Sequence, residues 1–431
     1  MAYYRNLRIS FCLMLMCLCT SSSANASYTV LNNDKYHETI AESRTKISDI
    51  LNQLQNKRHL NANTQIAFIA DQLSDIPYIY QNAMGEGDWQ PTSKTYQGDA
   101  IHLRQNPVYR MDGLNCQTLV QVAMALYHAR NLDQFDKNYL KIAYGSAGNP
   151  DGEVVRFYNR NNFIEADFNP VNQRNGWLQD VTSKGELAPY AEYLQVNITR
   201  KNWFLHQRFQ RDHIEVLDES SGDAMLSRFN TIYKELSFPR FESEDISMSY
   251  LPKEKLVIRK SDDSFIPNQA LLNLIPTPAI AEIVRDPDKW NYYGIKIKNI
   301  TGSEIAVSHL GLLYRKNFKK DELIYQKTQC KWNVERKKIC EVTPVRCEKK
   351  NCQELMFTHA TNGYSRGYYW YSLSDGKYIC SPVKPGAGTA YTSCNRVVSV
   401  PFYDYLTDYQ SGNFTVMDVK SIVGIHIEKL T

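Results

Sequence analysis

The chain of 431 residues carries little net charge: 50 Lys and Arg against 46 Asp and Glu leave +4. That balance gives no argument for nucleic acid or an anionic surface as a partner. Beyond the first twenty residues no run is long and apolar enough to span a bilayer. There is no heptad run, internal repeat or long low-complexity tract, which removes coiled-coil and solenoid architectures. No C-x-x-C pair occurs, and between residues 20 and 329 there is a single cysteine, Cys116.

What is present begins with a secretory signal. Arg5 and Arg8 precede an apolar core from Ile9 to Cys19, too short for a mature spanning helix, and Ala24-Asn-Ala26 supplies a cleavage site. Residues 1–26 are read as a signal peptide and 27–431 as one elaborated domain, periplasmic or secreted; an uncleaved anchor is the alternative. In an oxidising compartment an even cysteine set pairs, and a leftover thiol needs a reason. Cys330, Cys340, Cys347, Cys352, Cys380 and Cys394 cluster within 65 residues, Cys116 far from them. Three local disulfides plus one free Cys116 is the economical reading; zinc on the first four cysteines is the alternative.

Cys116 sits where the polar turn Asp112-Gly113-Leu114-Asn115 runs into the apolar stretch Leu119, Val120, Val122, Ala123, Leu126. These apolar positions cover more than one stripe, which predicts a buried central helix over about 114–128. A thiol at a helix N-terminus faces unpaired backbone N–H groups and the positive end of the dipole, both of which favour thiolate, the nucleophilic form. The bland reading is an inert core cysteine.

Amphipathic spacing predicts helices over 37–56 and 64–73. Residues 153–158 alternate as a strand, and after 290 the chain turns β-rich, with strands expected at 293–300, 305–314, 355–359, 397–400 and 422–427. Cysteine-bearing insertions fall at 326–353 and 363–395. The fold class is α+β. A cysteine nucleophile needs a base and a group to orient that base. His309, followed two residues on by Gly311, and His359 lie in adjacent apolar strands that can bring them together on one sheet face. His128 is about 18 Å along the helix from Cys116, too far to serve it. His37, His59, His102, His206 and His213 have polar surroundings, and His426 in Ile425-His426-Ile427 reads as structural.

These pieces, in this order, resemble the NlpC-type papain-like cell-wall cysteine hydrolases, and more closely their N-acetylmuramoyl-L-alanine amidase-like branch. The resemblance is carried by Ile76-Pro77-Tyr78, Gly85-Glu86-Gly87, Pro107 to Thr118, Arg160 to Phe163, Asp180-Val-Thr182, Tyr250-Leu-Pro252-Lys253, Val307-Ser-His309-Leu-Gly311, Thr358-His359-Ala-Thr361, Val397 to Leu406 and Val423-Gly424-Ile425. It implies a papain-like core, a central helix packed on an antiparallel sheet, with a helical N-terminal part and disulfide-rich insertions. It further implies Cys116 as nucleophile, His309 as general base, His359 as orienting member and Tyr78 in the site wall. The implied substrate is a muropeptide or peptidoglycan fragment, cut between N-acetylmuramic acid and L-Ala, with no metal or organic cofactor required. Two positions depart from the branch: Asn115 replaces an acidic residue, and Asn162 stands where the family often has His.

Glu86, Trp89, Arg160 and Asn162 are candidate substrate contacts. Other amide or ester bonds, such as the γ-D-Glu bond of a muropeptide, a lipid or a host substrate, are the first alternative. A catalytically decayed secreted binding protein on the same fold is the second.

Overall fold

A computed structural model describes residues 33–79, 107–203, 242–332, 338–361, 371–372, 377–378, 396–407 and 416–431, with Ala83 and Gly85, apart from 147, 154, 156–159, 263, 293 and 418. The expected signal lies outside these residues. Helix α1 (Asn33–Gln55) turns Ile47, Ile50, Leu51 and Leu54 inward, and α2 (Ala62–Leu73) starts at Asn61, whose side chain accepts from the Thr64 N–H. The central helix α3 (Cys116–His128) has Leu119, Val120, Val122, Ala123 and Leu126 fully buried, and packs on α4 (Leu132–Tyr144) and on α2. A π-helix (Ile164–Phe168) runs directly into α5 (Asn169–Arg174).

The strands of the main sheet are β1 (Leu178–Asp180), β2 (Glu192–Thr199), β3 (Ser243–Pro252), β4 (Ala279–Arg285), β5 (Val307–Lys319), β6 (Asn351–Thr361), β7 (Arg396–Pro401) and β8 (Ile422–Leu430). They pair antiparallel in the order β7-β6-β5-β4-β8-β3-β2, with β1 also on β8. Successive side chains alternate between faces. Ile280, Leu312, Tyr314, Met356 and Ala360 therefore join the helices in one core. Ala281, Ile283, Leu313, Phe357, Ile425 and Ile427 build a second core on the other face, under the short helix Phe402–Thr407. The molecule is thus mixed α+β, with helices laid on an antiparallel sheet.

Two expected strands are different. Asn291–Tyr292 and Ile295–Lys296 form a small hairpin, and Ile297–Thr301 is a helical turn ended by Gly302 at φ +78°, where 293–300 was expected to be extended. The alternating Ile295 and Ile297 mimic a strand, while the left-handed glycine that closes the turn leaves no trace in that alternation. Within 153–158, Glu153 and Val155 lie in no strand; the rest of that segment is outside the described residues. The first insertion forms the hairpin Leu323–Trp332 with Lys338–Arg346, in which Cys330 faces Cys340 across the ladder. Among the described residues one disulfide is present, Cys347–Cys352, with Cα atoms 5.7 Å apart. Cys380 and Cys394 lie outside the described residues, as do the side chains of Cys330 and Cys340.

Candidate active site

The nucleophile candidate starts α3. Asn115 is its N-cap: the side chain accepts from the Thr118 N–H at 2.8 Å, and the Asn115 N–H donates to Thr118 Oγ1 at 2.9 Å. Asn and Asp cap a helix equally well, which accounts physically for Asn115 replacing an acid. Cys116 is half-buried and not in a disulfide, and packs against the helix-side core. The next residue, Gln117, donates to the Asn161 carbonyl at 2.6 Å, while Asn161 donates to the carbonyl of Ile142. That contact sets the half-buried Arg160 and Asn162 beside the start of α3. Upstream, Asp112 is held by a bidentate pair with the buried Arg110, at 2.6 and 2.5 Å.

A short seam joins this helix start to the sheet. Leu114 N–H donates to Pro77, and Ile79 N–H to Leu114, so Tyr78 runs parallel to Leu114. On its other side the seam pairs with the first residues of β7, Asp75 donating to Val397 and Val397 to Ile76. Val397 lies opposite Ala360 in β6, and Val398 opposite His359. Backbone hydrogen bonds therefore run unbroken from the residue two before Cys116 to the end of the sheet that carries His359. Helix α3 itself packs on β5 and β6.

His309 and His359 meet at that end. Nε2 of His309 lies 2.9 Å from Nδ1 of His359. One ring must donate and the other accept at that distance, so at least one of them is neutral. His309 is half-buried and His359 fully buried. Both rings sit on the face of the second core. Phe357 stacks on His359 at 4.9 Å between centroids, and Tyr405 meets His359 edge-on at 4.9 Å and lies parallel to His309 at 6.3 Å. Gly311 makes the packing possible, because a Cβ there would lie 2.5 Å from the Thr358 carbonyl and 2.7 Å from the Phe357 ring. Tyr405 and Phe357 were not singled out by the sequence; their positions depend on which strands pair.

His426 belongs to a different environment. It is buried on the helix-side face opposite Glu282, with Nε2 3.0 Å from Glu428 and Nδ1 2.9 Å from the Ser249 carbonyl. Burial alone would lower its pKa, but the hydrogen bond to Glu428 and the charges of Glu282 and Asp180 raise it to about 9. Burial raises Glu282 to about 8. His128 stacks on Trp177 and is pushed down to about 4 by burial and Arg58. His37 and His59 are exposed; His102, His206, His213, Glu86 and Trp89 lie outside the described residues. Among the described residues no group of three His, Cys, Asp or Glu side chains forms a metal site, and no helix is long and apolar enough to cross a membrane.

A cysteine outside any disulfide that opens a buried helix, beside an antiparallel sheet whose end joins two histidines, is an arrangement suited to nucleophilic hydrolysis. The chain belongs to the AmiA-like family, described as N-acetylmuramoyl-L-alanine amidase-like, whose sequence profile matches residues 91–341. That span includes Cys116, Arg160, Asn162 and His309, and ends before His359. No curated protein matches the chain. Among solved structures, a Legionella pneumophila protein of the DUF1460 family is similar at TM-score 0.58 and 20% identity, over 92% of this chain and 96% of that one. This likeness shows a shared fold. An N-acetylmuramoyl-L-alanine amidase from Bacteroides uniformis is similar at TM-score 0.38 and 18% identity, over 86% of this chain and 99% of that one.

Proposed function

We propose that the protein is a cysteine amidase of the cell envelope or secreted space, acting on peptidoglycan fragments through Cys116, His309 and His359 on a papain-like core. The observation that carries the reading is the 2.9 Å contact between His309 and His359, at the end of the sheet tied by the seam to the start of the Cys116 helix. Membership of the amidase-like family supports the substrate class.

In this mechanism Cys116 Sγ attacks an amide carbonyl as the thiolate. The new C–S bond forms as the C–N bond breaks, and His309 delivers the proton to the leaving amine. Water then adds to the thioacyl carbon, giving up its proton to His309, and the C–S bond breaks to restore the thiolate. His359 Nδ1 accepts from His309 Nε2–H, which fixes the tautomer and leaves the other ring nitrogen of His309 as the one that exchanges the proton. Backbone N–H groups at the first turn of α3 are suited to receive the oxyanion. The buried aromatic packing of Phe357 and Tyr405 holds both rings in place. Tyr78, Arg160 and Asn162 border the helix start and contact the substrate, as do Glu86 and Trp89, which lie outside the described residues. The bond cut joins the lactyl group of N-acetylmuramic acid to L-Ala.

The test is a mass-spectrometric digest of intact and 1,6-anhydro muropeptides by wild type and Cys116→Ala. Release of free stem peptide and the peptide-free sugar by wild type alone is the expected result. Cleavage inside the peptide would retain the nucleophile and reassign the bond. No product from folded protein would exclude the amidase.

A further inference from the structure

The first residues of β5, which deliver His309, are not an ordinary strand start. Ile283 pairs with His309 but Val284 pairs with Val307, so Ser308 is an extra residue, a β-bulge immediately before the histidine. A bulge bends the strand and re-aims the neighbouring side chain, and its unpaired residue needs other support. Arg285 supplies it to Ser308 itself, and Glu165 holds the backbone two residues earlier. Glu165, in the π-helix, accepts from the Ala306 N–H at 2.6 Å. Arg285, the last residue of β4, donates from Nε to Ser308 Oγ at 2.9 Å and from Nη1 to Ser421 Oγ at 2.6 Å, and its own N–H donates to the Ala306 carbonyl. The Ser308 hydroxyl also donates to Ile283 at 3.3 Å, and the Arg285 guanidinium lies 4.8 Å over the ring of Trp290.

Stability alone gives a poor account of Glu165. The side chain is buried, its second oxygen has no hydrogen-bond partner among the described residues, and burial pushes its pKa up. A carboxyl in that condition is costly, and an apolar side chain would fill the space at lower cost. What the carboxyl adds is a fixed acceptor for the backbone just before His309, the Ala306 N–H at 2.6 Å foremost, with the Val307 backbone also acting on it. It is itself fixed: Asp167 in the same π-helix is paired with Arg200 at 2.9 Å, and Arg200 with Glu244 at 2.7 Å. π-Helical turns recur at functional sites.

We propose that Glu165 and Arg285 are positioning residues, which clamp the bulged entrance of β5 and thereby set the ring of His309 against His359. The clamp rests on the reading of His309 as general base only for its effect on turnover; its effect on the ring is independent of the reaction.

The experiment uses the mature protein with 15N-labelled histidine rings, comparing wild type with Glu165→Leu, Glu165→Gln, Arg285→Gln and Ser308→Ala. It reads the His309 ring-nitrogen shifts across pH, alongside kcat and KM on a muropeptide. Displacement of a catalytic group by about an ångström costs up to about 100-fold in rate. Glu165→Leu is expected to lower kcat at least about tenfold with KM within about twofold, and to move the His309 ring signals. Glu165→Gln, which keeps an acceptor oxygen, is expected to recover kcat to within about threefold of wild type. Arg285→Gln and Ser308→Ala are expected to move the same signals by less.

A folded Glu165→Leu with wild-type kcat and wild-type His309 signals overturns the clamp. So does Glu165→Gln failing as completely as Glu165→Leu, since that makes the charge rather than the acceptor the cause. If Glu165→Leu does not fold, Ser308→Ala decides, because its half-buried hydroxyl can be removed without opening the core; unchanged ring signals there overturn the clamp. Should wild type cut no muropeptide, the amidase reading fails on its own, and the ring signals still decide the clamp.

Discussion

Two histidine sites share one sheet and differ in almost every respect that matters for chemistry. His309 is half-buried, next to a second imidazole and two aromatic rings, at the end of the sheet joined to the Cys116 helix. His426 is buried on the other face among Glu282, Glu428 and Asp180, and is raised to about 9. A ring that donates from both nitrogens to fixed acceptors holds its proton and cannot take another. A ring whose partner is a neutral imidazole can exchange one. The contrast is already in the residue two positions along, which shares the same face: Gly311 after His309 opens space, Glu428 after His426 fills it with charge.

The comparison breaks most sharply on substitution. His309→Ala and Cys116→Ala are each expected to lower amide hydrolysis by at least about 1,000-fold with little change in unfolding midpoint, measured by muropeptide turnover and urea denaturation. His426→Ala is expected to do the reverse. Turnover per folded molecule stays within a few fold, while stability drops by about 3–5 kcal/mol, because Glu428 is left buried without its cationic partner. Equal loss of turnover in both alanine variants would erase the distinction between the sites.

Gly311→Ala tests the crowding that holds the histidine pair. The added methyl meets the Thr358 carbonyl and the Phe357 ring. Overpacking of this kind costs about 1–3 kcal/mol, to be read from urea unfolding together with loss of turnover.

The pH dependence of stability is set mainly by the carboxylate site, with His128, pushed down to about 4, acting in the opposite sense between 4 and 6.5. Glu282 is raised from 4.5 to about 8, and His426 from 6.5 to about 9. Both groups bind their proton more tightly in the folded chain, so folding takes up protons and stability falls as pH rises, first across 4.5 to 8 and then across 6.5 to 9. Their stabilising contribution is complete only below the unfolded values. Unfolding midpoints at pH 5, 7 and 9 should decrease in that order. Glu282→Gln is expected to flatten the slope below pH 8, leaving the His426 part. A smaller effect is expected at the helix start: Asn115→Ala costs about 1 kcal/mol through loss of the cap, and Asn115→Asp only a few tenths, by the same unfolding measurement.

How much of this is legible in sequence depends on the range of the interaction. The Cys116 helix is legible because its cap and its buried face lie within fourteen contiguous residues. The pairing of His309 with His359 follows from two adjacent apolar strands. The bulge at Ser308 does not, because it is a mismatch between β4 and β5 that neither strand shows by itself. Glu165, 141 positions from the N–H it accepts from, reads locally as one acid among several. Residues 293–300 mislead for the opposite reason: alternation is present, but a glycine turn overrides it. Asp180-Val-Thr182 is legible as a motif and proves structural, since the Thr182 hydroxyl hydrogen-bonds the backbone of Ile427.

The proposed action of Cys116 and His309 as one nucleophilic unit is tested by the alkylation rate of Cys116 by iodoacetamide at pH 6 in wild type and in His309→Ala. An imidazole-paired thiolate reacts at a pH where an ordinary thiol is almost wholly protonated. Wild type is expected to react at least about tenfold faster than the variant. Equal, slow rates in the two proteins would contradict the pairing and remove the cysteine mechanism with it.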